Sequence, residues 1–193
     1  MNDIIKNSNP LVSVIMSSHN KIDMVQKVVN TFFNQATNPD DIEIIIRIDD
    51  EAERSQDWIN SIRLCAGVER QMQIIIMSGP QRYGYCSVPD NLTEAARIAK
   101  GEFILGSCDD IDGIDGGWDE CIRKWTGKCV LLNNIAQSGT HNWDFFVLHR
   151  KIFELTETIS ICEYANYHFS EFETTLPELV RSAGFTIIHQ PTA

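Results

Sequence analysis

The chain has 193 residues, enough for one substantial hydrophobic core and too few for two comfortable domains. Hydrophobic residues make up 43% and charged residues 22%, a globular balance, and no run approaches the roughly 18–20 apolar residues of a membrane span. The net charge of -11 argues against sequence-independent nucleic-acid binding, which needs a positive surface to release counterions.

Residues 1–10 carry no long apolar run and read as an N-terminal extension, not a secretory signal. Val12 to Ser17 is a short apolar run rich in β-branched residues, as in a buried strand. Ile22, Val25, Val28, Val29, Phe32 and Phe33 then recur at helical spacing. Ile42 to Ile48 predicts a second strand ending in Asp49-Asp50, followed by a helix around Arg54 to Ala66 and a third strand over Met72 to Met77. Such near-continuous Ile and Val runs suit strands covered on both faces, as in parallel sheets.

Gly79-Pro80 breaks the chain, and a loop with Arg82, Tyr83, Gly84 and Tyr85 leads to a well-marked helix. Ser87 is its N-cap, Pro89 and Asp90 lie in its first turn, and Gly101 follows its last. Glu102 to Ser107 predicts a fourth strand running into Cys108-Asp109-Asp110-Ile111-Asp112, and Gly113, Gly116 and Gly117 mark a loop. Trp118 to Trp125 reads as a short helix, with strands over Cys129 to Asn133 and Phe145 to Leu148. Thr175-Leu176-Pro177-Glu178 is a capping box for a last helix that stops at Gly184, before a final strand over Phe185 to His189. Alternating strands and helices without a linker predict one α/β domain over residues 11–193 with a mainly parallel sheet flanked by helices.

None of the six cysteines forms a Cys-x-x-Cys pair or a zinc-finger grouping with histidine, so a reduced, cytoplasmic protein is expected. Ligands of open parallel sheets sit at the carboxyl ends of the strands. Here those ends carry Ser17-Ser18-His19-Asn20, Asp49-Asp50 and Cys108-Asp109-Asp110-Ile111-Asp112, two acidic clusters about sixty residues apart. Their hard oxygens suit Mg²⁺ or Mn²⁺, ions that keep several waters and bridge carboxylates to substrate phosphates.

These segments resemble those of the family 2 glycosyltransferases, which have the GT-A fold. The resemblance runs through Leu11 to Met16 with the turn Ser17 to Asn20, Ile45 to Asp50, the stretch Gly84 to Asn91, and Ala95 to Leu105 leading into Asp109-Asp110. It continues through Phe145 to Phe153 and through Glu173 with Leu179 to Phe185, about residues 11–191 in all. The resemblance implies that Asp49 or Asp50 contacts the base or ribose of a nucleoside-diphosphate sugar, with Ser18, Asn20 and Asn91 in the same pocket. It makes Asp110 the principal ligand of a Mn²⁺ or Mg²⁺ ion, places Asp109 close to the sugar or ribose, and lets His189 face the metal or diphosphate. Glu173 becomes the general base on the acceptor hydroxyl.

The family's aspartate motif is Asp-x-Asp, whereas this chain has Cys108 at the first position and a literal Asp110-Ile111-Asp112 one step on, so the metal register lies between Asp109/Asp110 and Asp110/Asp112. Phe172 replaces one member of the acidic pair before the last helix, and Glu171 is its substitute. The short chain implies a reduced acceptor-binding part, for a glycan, a lipid-linked acceptor or a protein. The expected reaction is inverting sugar transfer. The alternatives are a non-catalytic nucleotide-sugar or glycan binder of the same fold, and a nucleotidyltransferase. The last should carry a basic Gly-rich loop after its first strand, which Ser17 to Lys21 is not.

Overall fold

The computed structural model describes residues 9–19, 21–49, 55–67, 70, 73–83, 87–111, 113–128, 131–133 and 146–159. In chain order these form β1 (Val12–Ser18), α1 (Ile22–Gln35), a 3-10 turn (Pro39–Asp41), β2 (Ile42–Asp49), α2 (Ser55–Cys65), β3 (Ile74–Gly79) and α3 (Ser87–Ile98). They continue with β4 (Phe103–Ser107), α4 (Trp118–Arg123), β5 (Leu131–Asn133), β6 (Phe146–His149) and α5 (Arg150–Thr156). The six strands lie in the order β3-β2-β1-β4-β6-β5. β3, β2, β1 and β4 are mutually parallel; β6 runs antiparallel to β4, and β5 antiparallel to β6.

The period-2 alternation of a strand explains why these runs are apolar throughout. Val12, Val14, Met16, Ile44, Ile46, Phe103 and Leu105 face the α1, α2 and α4 layer, where Val25, Val28, Val29, Phe32 and Phe33 complete one core. Ile15, Ile45 and Ile104 face the opposite side, against Leu92, Ala95 and Ala96 of α3 and Ile152 and Phe153 of α5. The end of α1 is tied to α4: Trp118 Nε1 donates to the Phe32 carbonyl at 3.0 Å, and buried Asp119 accepts from Thr37 N and Asn38 N.

The third strand starts two residues later than Met72 and extends to Gly79. Gln73 holds its N-terminal approach in place, because its side-chain amide donates to the carbonyls of Pro39 and Ile42. Ser78 and Gly79 continue the ladder opposite Ile48 and Asp49. The fourth strand begins at Phe103 and the short helix at Trp118 ends at Arg123. Of the strands expected over 129–133 and 145–148, Leu131–Asn133 and Phe146–His149 are observed, and Cys129, Val130 and Phe145 lie outside the described residues. The expected last helix and final strand also lie outside them.

Helix α5 was not legible in the sequence. Its N-cap is His149, whose Nδ1 accepts from Lys151 N at 3.1 Å, a role usually filled by Ser, Thr, Asp or Asn. Burial holds the His149 imidazole below the ordinary value of 6.5, with Glu102 pulling it back up. The unfolded chain therefore takes up this proton first as the pH falls. Its contribution to stability is full above about pH 6.5 and is lost as the pH drops toward the folded-state pKa. Thermal unfolding of wild type is expected to weaken between about pH 7 and 5, with a shallower slope in His149→Asn, which keeps a capping acceptor but cannot titrate. An equal slope in both proteins would remove His149 from the account.

Candidate active site

β1 is the centre of the site because it lies between β2 and β4 and is parallel to both. Its connection to β2 leaves on one side, while β4 pairs on the other, so the β1/β4 edge is the topological switch point where open α/β sheets bind ligands. The register places Ser18 opposite Ile48 and Met16 opposite Ser107. The carboxyl ends of β1, β2 and β4 therefore reach one edge, and with them Ser18-His19, Asp49 and Cys108-Asp109-Asp110.

Side-chain bonds knit these ends together. Ser18 Oγ donates to Asp109 Oδ2 at 2.8 Å, and Lys21 Nζ donates to Asp109 Oδ1 at 3.0 Å. The same ammonium lies 3.8 Å from Asp110 Oδ2. The hydrogen bond to the Asp109 carboxylate holds the Lys21 ammonium above its ordinary pKa. On the other side of β1, His19 Nδ1 lies 2.8 Å from Asp49 Oδ2, and Arg47 Nη1 donates to Asp49 Oδ1 at 3.3 Å. Asn91 is buried on α3, where its side-chain oxygen accepts from Arg82 Nη1 at 3.1 Å.

The two acidic clusters thus meet across β1 through the consecutive residues Ser18 and His19. Of the sequence-predicted site residues, Ser18, Asp49, Asn91, Asp109 and Asp110 are described, whereas Asn20, Asp50, Asp112, Glu171, Glu173 and His189 lie outside the described residues. Sequence reasoning placed His19 at the end of the first strand without giving it a role, and missed Lys21 and Arg47 as members of the site. Arg47 had a legible signal: it is a charge in an apolar strand two residues before Asp49, hence on the same face.

The two aspartates differ in what they offer a ligand. Asp109 is 8% exposed and both its oxygens are engaged, whereas the Asp110 side chain is 55% exposed. Among the described residues, no group of three or more His, Cys, Asp or Glu side chains could hold a metal ion. Two adjacent carboxylates, one of them exposed, fit Mg²⁺ or Mn²⁺ by their hard oxygens, since such ions retain water and take further oxygens from a diphosphate.

The mainly parallel sheet, with acids gathered at its switch point, has the GT-A fold. The sequence matches the profile "Glycosyl transferase family 2" over residues 13–112, and the chain belongs to that family. A structural neighbour is the mannosyltransferase PcManGT from Pyrobaculum calidifontis, in complex with GDP-Man and Mn²⁺, with a TM-score of 0.68 and 14% identity over 96% of this chain and 56% of that one. S. aureus TarS 1–349 in complex with UDP-GlcNAc has a TM-score of 0.52 and 12% identity over 76% of this chain and 47% of its own. The apo glycosyltransferase GlyE of Streptococcus pneumoniae TIGR4 has a TM-score of 0.52 and 12% identity over 93% of this chain and 45% of its own. The chain thus spans about half the length of these neighbours. No curated protein sequence matches it. No described helix is long and apolar enough to cross a membrane.

Proposed function

We propose that residues 11–193 form one catalytic domain that moves a sugar from a nucleoside-diphosphate donor to an acceptor hydroxyl, with inversion and with a divalent metal ion. The observation that carries this reading is the bonding of Asp109, beyond β4, to Ser18 and Lys21 at the end of β1, on the edge that Asp49 also reaches. An ion held by Asp110 and Asp109, with Asp112 and His189 as further candidates, would act as a Lewis acid on the charge of the departing diphosphate.

The chain's own residues supply the rest. Asp49, with Asp50, Asn20 and Asn91, binds the nucleoside. Lys21 adds fixed positive charge beside Asp109 and Asp110, and with the ion it offsets the negative charge that the carboxylates present to the diphosphate leaving group. Glu173, seconded by Glu171, takes the acceptor proton as the hydroxyl attacks the anomeric carbon. A carboxylate is already ionised at neutral pH, so this base needs placing more than tuning. PcManGT and TarS are bound to GDP-Man and UDP-GlcNAc, and these two donors head the panel to test. Among the described residues, Cys65 and Cys121 stand outside any disulfide, which suits a reducing, cytoplasmic setting.

The test is thermal stability against UDP, GDP and their sugar conjugates, with and without Mn²⁺. A ligand at a hundredfold its Kd adds about 2.7 kcal/mol, which raises Tm by about 5–10 °C for a chain of this size. Stabilisation that requires Mn²⁺, followed by sugar transfer in an acceptor screen, is the expected result. Stabilisation without any transfer or donor hydrolysis would leave a nucleotide-sugar binder, the reading favoured by Cys108 at the first position of the metal motif. No response to any nucleotide would remove the donor site altogether.

A further inference from the structure

Arg47 is a cation in the middle of a strand built for a hydrophobic sheet. Its side chain is 0% exposed. A guanidinium in that place is strongly unfavourable unless its donors find partners, and an apolar side chain of similar volume would satisfy the core at least as well. The fold gives every nitrogen an acceptor. Nε donates to Glu94 Oε2 at 2.9 Å, Nη2 to the Pro80 carbonyl at 2.9 Å, and Nη1 to the Ile48 carbonyl and to Asp49 Oδ1.

The neighbouring strand makes room for this group. Gly79 pairs with Asp49, and a Cβ built there would lie 2.7 Å from Arg47 Nη2 and 3.0 Å from Cζ. Glu94 in turn accepts from Arg82 Nη2, while Arg82 Nη1 reaches Asn91. Burial pushes the Glu94 carboxyl up, but the Arg47 and Arg82 guanidiniums outweigh it and hold the pKa below the ordinary 4.5. Glu94 therefore faces the two guanidiniums as a carboxylate at neutral pH. This cluster joins the end of β2, the loop after β3 and the first turns of α3, three segments that are separate in sequence.

We propose that Arg47 is a positioning residue for the donor nucleoside: its guanidinium fixes the Asp49 carboxylate directly and, through Glu94, fixes Arg82 beside Asn91. The three segments then form one rigid wall of the nucleoside pocket, on the opposite side of β1 from Asp109 and Asp110. The inference rests on the reading of this edge as a donor site. A core ion pair kept for stability alone would give the same contacts, so the experiment must separate the two roles.

Arg47→Met fills the same volume without charge and leaves Asp49 its contact with His19 and Glu94 its contact with Arg82. Arg47→Lys keeps the charge but cannot bond in three directions, and Glu94→Gln alters the partly exposed partner should a variant at the buried position fail to fold. The readouts are Tm, the Kd for UDP and for GDP in the presence of Mn²⁺ by calorimetry, and the Kd for Mn²⁺ alone by electron paramagnetic resonance. Arg47→Met and Glu94→Gln are expected to bind the nucleotide that wild type binds about tenfold or more weakly, the loss of one or two charge-assisted contacts, and Arg47→Lys is expected to fall between them and wild type. The affinity for Mn²⁺ alone should stay within about twofold of wild type, because the metal-binding aspartates lie outside the cluster. Nucleotide binding at wild-type strength in the folded variants would overturn the inference, as would parallel loss of nucleotide and Mn²⁺ binding. Wild type that binds neither UDP nor GDP would overturn the donor-site reading itself, and the inference with it.

Discussion

Asp110→Asn is expected to abolish the Mn²⁺-dependent part of nucleotide binding and to lower sugar transfer by about a hundredfold or more, while Tm in the absence of ligand changes little. The side chain is 55% exposed and its nearest charged partner is the Lys21 ammonium at 3.8 Å, so the folded state loses almost nothing with the charge. On the proposed donor site, what is lost is a hard anionic oxygen that holds the ion at the diphosphate, and removal of one electrostatic contributor to a leaving group's charge is felt on this scale. Asp109→Asn gives a different signature. Both Asp109 oxygens accept hydrogen bonds, from Ser18 and from Lys21, and an amide can replace only one of them. That variant should therefore lose stability as well as binding. Thermal unfolding with and without Mn²⁺ and UDP or GDP, set beside transfer rates, separates the two aspartates. A metal-dependent shift of wild-type size in Asp110→Asn would take Asp110 out of the metal site.

The sheet was legible because its signal is local. A run such as Ile42 to Ile48 states that both faces are covered, and the structure places Ile44 and Ile46 on one core and Ile45 on the other. The strand-end acids were legible through the rule that open sheets bind ligands at their carboxyl edge. Which acid meets which partner was not, because that depends on strand order. Ser18 and Asp109 are 91 residues apart and touch only because β4 pairs with β1 instead of following β3. The same holds for Lys21, which belongs to the site only because β4 places two carboxylates beside it. The end of β3 was misplaced for a related reason: Gly79-Pro80 looks like a break, yet Ser78 and Gly79 stay in the ladder, Gly79 beside the Arg47 guanidinium. α5 escaped because a seven-residue helix has little periodicity and its cap is a histidine.

Gly101→Ala is expected to cost about 3 kcal/mol, a fall in Tm of about 6–12 °C for a chain of this size, although one methyl group is the whole change. Gly101 lies in the turn between α3 and β4, against the backbone of β1. An added Cβ would sit 2.5 Å from Ser13 N, 2.6 Å from Ser13 Oγ and 2.8 Å from the Phe103 carbonyl oxygen. Two of those three atoms are main chain, so no rotamer change relieves the collision. The surrounding bonds also resist a shift. Gly101 N donates to Ser13 Oγ at 2.7 Å, Ser13 Oγ donates to buried Glu43, and Glu43 also accepts from Lys100 N at 2.6 Å. Moving the junction to admit a methyl group would break part of this buried network, which leaves a carboxylate short of donors. It would also displace the start of β4, the strand that carries Asp109 to Ser18. Gly113→Ala is the control, since nothing lies within 4 Å of a Cβ at that position, and its change should stay within about 0.5 kcal/mol. Urea unfolding of the two variants beside wild type measures both. If Gly101→Ala unfolds with Gly113→Ala, the α3–β4 junction yields without cost, and the close approach of Gly101 to β1 does not fix where β4 begins.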